Sequence, residues 1–289
     1  MATICNAGLD IGFASLGYAQ IAVLGIIQGI TELLPISSTA HMRIVPALLG
    51  WHDPGSAFSA AMQLAALAAV VSYFWRDVRG VLFGSVAALG RSDYSDRSLR
   101  MAFAIILATI PIGIAGLLLS STLNSCNSPL RGLMVIGIAS LVMGVLLAVA
   151  EIACRHRRTM DQMGILSALV VGIAQIGALI PGVSRSGSTL TAALFLNLKR
   201  EDAARFSFLL GIPAIALAGL RELWMLFHAH IPADAWTLLL FGLVVASLSS
   251  FCAIWGLMKF LEKFSTWPFV IYRMALGIFL IVGVSSGWL

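Results

Sequence analysis

Apolar runs separated by short polar stretches extend along nearly the whole chain. A membrane-spanning helix takes about 20 predominantly apolar residues, and six runs approach or exceed that length. No alternation of apolar and polar residues is sustained, so the pattern does not favour a β-barrel. It predicts an all-α polytopic membrane protein with about six full transmembrane helices, at residues 58–75, 101–120, 132–150, 204–227, 236–258 and 268–287.

Two further apolar segments are shorter, and each runs into a polar stretch. Segment 17–34 leads into the first polar motif, residues 28–41, and segment 164–180 leads into the second polar motif, residues 181–189. Both motifs combine a proline with several hydroxyl side chains, which are residues that end one helix and cap the next. Short helices are predicted after the two breaks, at residues 38–50 and 188–198.

Basic residues divide the loops into two groups. Residues 76–100 carry five arginines, and the links at 151–163, 199–205 and 259–273 carry three basic residues each. The loops at 42–57, 121–131 and 228–235 carry one, one and none. The positive-inside rule places the first group in the cytoplasm and the second outside. Both broken segments must then start and end on one face, so they are predicted to be re-entrant hairpins that enter from opposite faces.

The two halves of the chain resemble each other weakly. Gly25 and Gln28 recur as Gly172 and Gln175, an offset of 147 residues, and a serine-rich break follows both pairs. Weak similarity with opposite entry faces is typical of inverted-topology repeats. We therefore predict a single integral membrane domain over residues 1–289. It contains repeat one at about 17–150 and repeat two at about 164–289, with the site at their interface.

Composition supports this class of protein and excludes others. The chain is 60% hydrophobic and 11% charged, against about 25% charged residues in soluble domains. Its net charge of +5 is spread over short loops, so a nucleic-acid partner is not expected. No removable signal peptide is expected at the N-terminus. The four cysteines, Cys5, Cys126, Cys154 and Cys252, lack metal-binding spacing and are interpreted as small buried or loop residues.

The first polar motif brings together a carboxylate, hydroxyls and a histidine. Gln28 and Glu32 share one helical face, and Glu32 is interpreted as the only carboxylate deep in an apolar segment. Glu32 is either the structural partner of a basic residue or a functional acid, base or metal ligand. The serines cap a helix or bind an anion at its N-terminus, and His41 is either structural or part of an activated-nucleophile arrangement. The hydroxyl residues of this motif are Ser37, Ser38 and Thr39.

The second polar motif has the composition of an anion-binding loop. Arg185 is interpreted as the only deeply embedded arginine, and its guanidinium suits bidentate phosphate binding. The alternative is that Arg185 only neutralises Glu32. Gly182 and Gly187 allow close backbone approach. The hydroxyl donors are Ser184, Ser186, Ser188 and Thr189. Together the two motifs suit phosphoryl transfer on a substrate with a lipid end.

The two motifs also resemble a known family. The pattern Gln28-Gly-x-Thr-Glu32-x-x-Pro35-x-Ser37-Ser38-x-x-His41, with Pro181-Gly-x-Ser-Arg185-Ser-Gly-x-Thr189, is similar to the bacitracin-resistance type of undecaprenyl-diphosphate phosphatase. Smaller similarities extend the resemblance over nearly the whole chain, at Gln63-Leu, Phe74-Trp75-Arg76, Phe206-Ser-Phe-Leu-Leu and Ile271-Tyr272-Arg273.

The resemblance implies an enzyme of the bacterial inner membrane whose site opens to the periplasm. It implies hydrolysis of undecaprenyl diphosphate to undecaprenyl phosphate and phosphate, which recycles the lipid carrier of peptidoglycan synthesis and confers bacitracin resistance. The expected partners are the prenyl diphosphate and membrane lipids, and the expected cofactor is a divalent cation, Mg or Ca, held by Glu32. A homodimer stays open, since no residue pattern decides the oligomeric state.

The resemblance also assigns roles to residues. It implies that Ser38 is the nucleophile, that Glu32 and His41 activate it or transfer protons, and that Arg185 clamps the diphosphate. Whether Ser38 or His41 attacks is left open. The family has Glu or Gln at the position of Gln28, so a two-carboxylate metal site is not assumed. The remaining substrate-binding or supporting residues are Gln28, Ser37, Thr39, Gln63, Ser184, Ser186, Gly187 and Thr189.

Two other functions fit part of the pattern. A transporter or flippase of undecaprenyl phosphate would also use inverted repeats with paired breaks. The clustering of Ser38, His41 and Glu32 around Arg185 argues against transport alone. A membrane scaffold without chemistry would leave the buried charges unexplained.

Overall fold

The computed structural model describes residues 5–6, 9–119 and 129–289, and these are almost entirely helical. A two-residue antiparallel pairing of Cys5–Asn6 (β1) with Leu9–Asp10 (β2) precedes the helices. The α-helices are α1 Tyr18–Leu33, α2 Ser38–Leu49, α3 Gly55–Ala61, α4 Gln63–Tyr73, α5 Trp75–Gly90, α6 Arg97–Leu118, α7 Leu133–Ala153, α8 Ile165–Gln175, α9 Arg185–Phe195, α10 Arg200–His228, α11 Ala233–Lys263 and α12 Trp267–Ser285. Short 3-10 helices lie at Gly12–Ser15, Pro129–Arg131, Met160–Gln162 and Ile176–Leu179.

Six helical stretches in the described residues are long and apolar enough to cross a membrane, so the predicted polytopic all-α class is confirmed. They match the six predicted runs, although the first span consists of α3 and α4 with a break at Met62. Large apolar side chains such as Ile106, Val142 and Leu248 lie exposed on the outer faces of these helices. Such faces are stable against lipid and unfavourable against water. Most of the predicted loop at 121–130, with Cys126, lies outside the described residues.

The loops predicted to share a side of the membrane contact one another. Asp53 accepts hydrogen bonds from Arg43 and from Arg131, which joins two loops of the predicted outer group. Ion pairs join the loops of the predicted inner group in the same way, and they are Arg97–Asp161, Arg205–Asp77 and Arg200–Glu151. The grouping of the loops therefore agrees with the contacts, while the absolute orientation stays a prediction.

Two helical hairpins repeat at the offset seen in the sequence. The starts of α1 and α8 are 147 residues apart, and so are the starts of α2 and α9. Each first arm packs against a long helix of the other half, α1 on α11 and α8 on α6. A glycine at the matching position permits both close approaches, because Gly25 lies against the Gly242 carbonyl and Gly172 against the Ala108 carbonyl. The hairpins are thus held by reciprocal packing, and their tips meet between the two halves.

The start of α6 shows how a polar residue fixes one helix end at the predicted cytoplasmic side. The Asp96 carboxylate accepts hydrogen bonds from the backbone N–H groups of Ser98, at 2.7 Å, and Leu99, at 3.4 Å. These bonds to the charged form lower the pKa of Asp96 below its ordinary value. The cap ends the exposed turn at residues 91–96 and sets where the span begins.

Site-directed labelling tests the orientation. In a cysteine-free background, Ser95→Cys on this exposed turn should react with a membrane-impermeant maleimide only after the cytoplasmic face is opened. His52→Cys is the matched control, since residue 52 is also exposed but lies in the predicted outer loop, and it should react in intact cells. The reverse labelling pattern would contradict the orientation.

Candidate active site

The two hairpins break in the same way. Ser37 and Ser184 are the N-caps of α2 and α9, and both have left-handed backbone, with φ of 73° and 72°. A non-glycine residue adopts such a φ at a cost, and it persists only where the surroundings hold it. The next residues, Ser38 and Arg185, become the first residues of the two short helices. The breaks therefore place a hydroxyl from one hairpin and a guanidinium from the other at equivalent positions.

Glu32 lies at the centre of the site and is almost fully buried. Its Oε2 accepts a hydrogen bond from Ser38 Oγ at 2.5 Å and from Gln28 Nε2 at 3.1 Å. Its Oε1 lies 3.5 Å from Nη2 of Arg185. The carboxylate thus faces the hydroxyl that it could deprotonate, and Gln28 acts as a donor to it. Glu32 therefore contacts Ser38 and Arg185, two of the three residues that were expected to cluster with it.

Arg185 carries donors for which no described residue provides an acceptor. Among the described residues, its Nε and Nη1 atoms are buried without a hydrogen-bond partner. An unsatisfied buried donor costs roughly 1–3 kcal/mol, more for a charged group, so it marks the place of a missing acceptor. The guanidinium lies against Gly211 of α10, where a side chain would collide with it. Gly211 therefore makes room for Arg185 and was not found from sequence.

The start of α2 is a second place for an anion. In the described part of the chain no side chain caps the free N–H groups of its first turn, whereas Ser184 Oγ caps α9 by accepting from Gly187 N at 3.1 Å. Uncapped N–H groups at a helix start favour negative charge. The combination of the α2 N-terminus, Ser38 and the unused donors of Arg185 can bind a tetrahedral oxyanion.

The predicted start of the second short helix at residue 188 was wrong. The helix starts at Arg185, because the left-handed turn at Ser184 allows capping three residues earlier. The hydroxyls of the second motif are consequently engaged within the protein. Ser186 donates to the carbonyls of Glu32 and Leu34, both at 3.1 Å, and so ties the hairpins together. Ser188 and Thr189 donate to the Arg185 carbonyl, and Thr189 also contacts Ser207 at 2.5 Å.

The other predicted binding residues have different surroundings. Thr39 Oγ1 accepts a hydrogen bond from Gly182 N at 3.4 Å and contacts Ser37 Oγ at 3.1 Å, which joins the two breaks. Gly187 gives space to the guanidinium of Arg273, whose Nη1 would lie 3.2 Å from a Cβ there. Gln63 starts α4, and no side-chain hydrogen bond joins it to either hairpin in the described part of the chain. Substrate contacts of these residues stay predictions.

His41 lies near Ser38 but does not bond to it. Its Nδ1 is 2.7 Å from the carbonyl oxygen of Ser37, and its Nε2 is 2.5 Å from the Tyr272 hydroxyl. Both ring nitrogens are therefore occupied, and in this arrangement the base that faces the Ser38 hydroxyl is Glu32.

Arg273 is the largest omission of the sequence interpretation. The charge pattern predicts a loop cation at this position and Arg185 as the only deeply embedded arginine, but this prediction is wrong, because Arg273 is fully buried in α12. Its guanidinium donates to Pro35 O at 3.0 Å in the first break, and to Gly182 O and Val183 O at 2.7 and 3.1 Å in the second. Its Nε reaches Ser140 O of α7 at 3.4 Å. One side chain thus fixes both breaks.

The expectation that Glu32 is the only deep carboxylate was also wrong. Glu222 in α10 and Glu151 near the end of α7 are similarly buried. Glu151 pairs with Arg200 and accepts from Thr266 at 2.8 Å. The sequence contains a signal for a buried carboxylate at Glu222, because this residue lies inside the apolar run at 204–227.

The residues give a divalent cation limited protein ligation. Within the described residues no group of three or more His, Cys, Asp or Glu could hold a metal ion. Glu32 is the carboxylate at the site, and its contact with Arg185 is loose at 3.5 Å. Magnesium commonly binds through one or two carboxylates together with substrate phosphates. The site therefore fits a cation that shares Glu32 with a bound phosphate group, and it does not fit an all-protein metal centre.

Comparison with known proteins places this geometry in a family. The family model described as "Bacitracin resistance protein BacA" matches residues 21–279, which includes both hairpin breaks and all but the ends of the hairpins and of the helices that contact them. The chain belongs to the BacA bacitracin resistance protein family. The resemblance predicted from the two polar motifs is confirmed.

Curated relatives are similar over nearly their whole length. The chain is 70% identical over 262 residues to "Undecaprenyl-diphosphatase 2" of Mesorhizobium japonicum, covering 91% of this chain and 99% of that protein. It is 50% identical to "Undecaprenyl-diphosphatase" of Gloeobacter violaceus, covering 95% and 94%. It is 48% identical to "Undecaprenyl-diphosphatase" of Trichormus variabilis, covering 96% and 87%.

Replacement of Arg273 tests its structural role. In the wild type the Arg273 guanidinium donates to several backbone carbonyls, and the single ammonium of Arg273→Lys cannot reach all of them. We therefore expect the free energy of unfolding in detergent to fall by about 3 kcal/mol. Arg79→Lys is the control, since Arg79 is exposed and lies over the Phe83 ring. Equal thermal stability of the two variants would contradict the role of Arg273.

Proposed function

We propose that this protein hydrolyses undecaprenyl diphosphate to undecaprenyl phosphate and inorganic phosphate. The observation that carries the proposal is the chain of contacts from Ser38 through Glu32 to Arg185. Two nitrogen atoms of the Arg185 guanidinium have no hydrogen-bond acceptor among the described residues. Curated relatives named undecaprenyl-diphosphatase, one of them 70% identical, support the same substrate. The comparisons do not favour the alternative of a flippase.

The geometry gives each residue a step. Arg185 and the first-turn N–H groups of α2 bind the terminal phosphoryl oxygens and neutralise their charge. Ser38 Oγ attacks the terminal phosphorus while Glu32 Oε2 takes the hydroxyl proton across 2.5 Å. The bond from phosphorus to the bridging oxygen breaks, and undecaprenyl phosphate leaves. Glu32 passes its proton to the departing undecaprenyl phosphate. Water then attacks the phosphoseryl group while Glu32 takes a proton from the water and returns it to Ser38 Oγ, and inorganic phosphate is released.

The contacts of His41 favour Ser38 as the nucleophile. Attack by His41 would require Nε2 to leave the Tyr272 hydroxyl or Nδ1 to leave the Ser37 carbonyl. Ser38 needs no such change, because its hydroxyl already bonds to a base and lies at the start of α2, where the anion binds. A reacting group held in place before the reaction lowers the entropy cost of the step.

Glu32 would also hold the divalent cation, Mg or Ca. The cation would arrive with the diphosphate and supply positive charge next to the phosphate oxygens. Gln28 donates a hydrogen bond to Glu32 and is uncharged, so this pair contributes a single negative charge next to the cation.

The cellular setting follows from the lipid substrate and the spans. The protein is a multi-pass protein of the bacterial inner membrane, in which the site opens to the periplasmic side and the prenyl chain stays in the bilayer. Recycling of the lipid carrier would support peptidoglycan synthesis and bacitracin resistance.

Phosphate release tests the function directly. Purified protein in detergent should release inorganic phosphate from undecaprenyl diphosphate, and Glu32→Gln or Arg185→Ala should lower turnover by at least about a hundredfold, because each removes a charge at the reacting phosphoryl group. Glu222→Gln is the matched control, as it removes another buried carboxylate outside the hairpins. Full activity of both site variants would contradict the assignment. Lipid translocation in liposomes without phosphate release would instead favour a flippase.

Gly211 allows a test that leaves every polar group in place. Gly211→Ala puts a Cβ where the Arg185 guanidinium lies, and a misplaced clamp should cost about tenfold or more in turnover. Gly256→Ala in α11 is the control, because nothing lies within 4 Å of a Cβ at that position. Unchanged turnover in Gly211→Ala would contradict the placement of Arg185.

A further inference from the structure

A tyrosine of the last helix completes the surroundings of His41. The Tyr272 hydroxyl lies 2.5 Å from His41 Nε2, and the two rings are nearly parallel, with 14° between their planes and 5.6 Å between their centroids. Tyr272 is 231 residues from His41 in sequence and directly precedes Arg273. Two successive residues of α12 therefore hold the first hairpin. The Tyr272 hydroxyl contacts the His41 side chain, and the Arg273 guanidinium donates to the backbone carbonyl of Pro35.

The partner of Nδ1 determines the tautomer of His41. A backbone carbonyl can only accept a hydrogen bond, so the Nδ1 atom, 2.7 Å from Ser37 O, must carry the hydrogen. In the neutral ring, Nε2 then has the lone pair, and the Tyr272 hydroxyl donates to it. The two partners on opposite sides of the ring fix one tautomer and one ring orientation.

The acceptor of the Nδ1–H group belongs to the strained residue next to the nucleophile. Ser37 has a φ of 73°, and its carbonyl orientation depends on that conformation. His41 holds this carbonyl, and Ser38 follows it directly in the chain. The position of Ser38 Oγ beside Glu32 is thus coupled through Ser37 and His41 to the Tyr272 hydroxyl.

We propose that Tyr272 is a positioning residue for phosphoryl transfer, whose hydroxyl holds the His41 ring against the Ser37 carbonyl and thereby keeps the Nδ1–H tautomer and the Ser37–Ser38 turn in place. The inference rests on the proposed function of the same site. His41 is 8% exposed and Tyr272 is 41% exposed, so the phenol ring partly covers the imidazole. Tyr272→Phe removes only the hydroxyl and leaves the ring in place, so its effect reports the loss of the hydrogen bond to His41 alone.

Kinetics of Tyr272→Phe test the proposal. Turnover of undecaprenyl diphosphate should fall about tenfold with little change in KM, since the substrate still meets Arg185 and the α2 N-terminus. Tyr18→Phe is the matched control, because the Tyr18 hydroxyl also joins two helices, at 3.2 Å from Thr237 Oγ1, but lies at the start of α1, the end opposite the break. Turnover in Tyr272→Phe equal to that of Tyr18→Phe would overturn the proposal.

A double-mutant cycle separates this role from a direct contact with substrate. In a His41→Gln background, Tyr272→Phe should have no further effect, because the hydroxyl acts only through the imidazole. A further tenfold loss in that background would overturn the proposal in favour of an independent role of the hydroxyl.

A spectroscopic arm does not depend on turnover. In protein labelled with ¹⁵N-histidine, the His41 resonances are identified by their loss in His41→Gln. Neutral His41 should show a single tautomer with the hydrogen on Nδ1, and Tyr272→Phe should release the ring from the Ser37 carbonyl and so give a mixture of tautomers. An unchanged tautomer in Tyr272→Phe overturns the proposal. Absence of phosphate release by the wild type would instead refute the proposed function, while the ¹⁵N spectra still report whether Tyr272 sets the tautomer.

Discussion

A buried guanidinium bound to carbonyl groups holds the two hairpin breaks together. Arg273 donates to Pro35 O, Gly182 O and Val183 O, and no salt bridge joins it to a carboxylate in the described part of the chain. Broken helices at membrane depth expose carbonyls that lipid cannot satisfy. A cation that must be desolvated anyway satisfies them, so the cost of the charge and the cost of the breaks offset each other.

The same breaks produce the chemistry. A continuous helix through residues 18–49 would leave no free helix start at Ser38, and a continuous second hairpin would leave none at Arg185. Because both hairpins turn through a left-handed serine, the Ser38 hydroxyl and the Arg185 guanidinium face one carboxylate, Glu32. The Arg185 donors that have no acceptor among the described residues are available to an anion. Strain, unsatisfied donors and a loose ion pair are therefore concentrated where a diphosphate would bind.

The sequence predicts those parts of the structure that depend on the free-energy cost of placing polar or charged groups in a membrane. The six spans follow from the length of the apolar runs. Glu32 and Arg185 stand out because an isolated charge in an apolar segment is costly and is usually functional. Arg273 was missed because it lies less than two turns inside α12, where an arginine commonly extends to the interface. Its inward direction depends on tertiary contacts. The start of α9 was placed three residues late because no local rule predicts a left-handed serine at residue 184. Gly211 was missed because its role is the space it leaves for a distant side chain.

The central claim is that residues from the two hairpins act as one site. The energetic coupling of Glu32 and Arg185 across the hairpins measures this most directly, with the mild variants Glu32→Asp and Arg185→Lys so that turnover stays measurable. Turnover of undecaprenyl diphosphate is compared for the wild type, both single variants and the double variant. A shared site predicts a coupling energy of at least about 1 kcal/mol, so that the double variant loses clearly less than the product of the single losses. Losses that multiply independently would contradict the account.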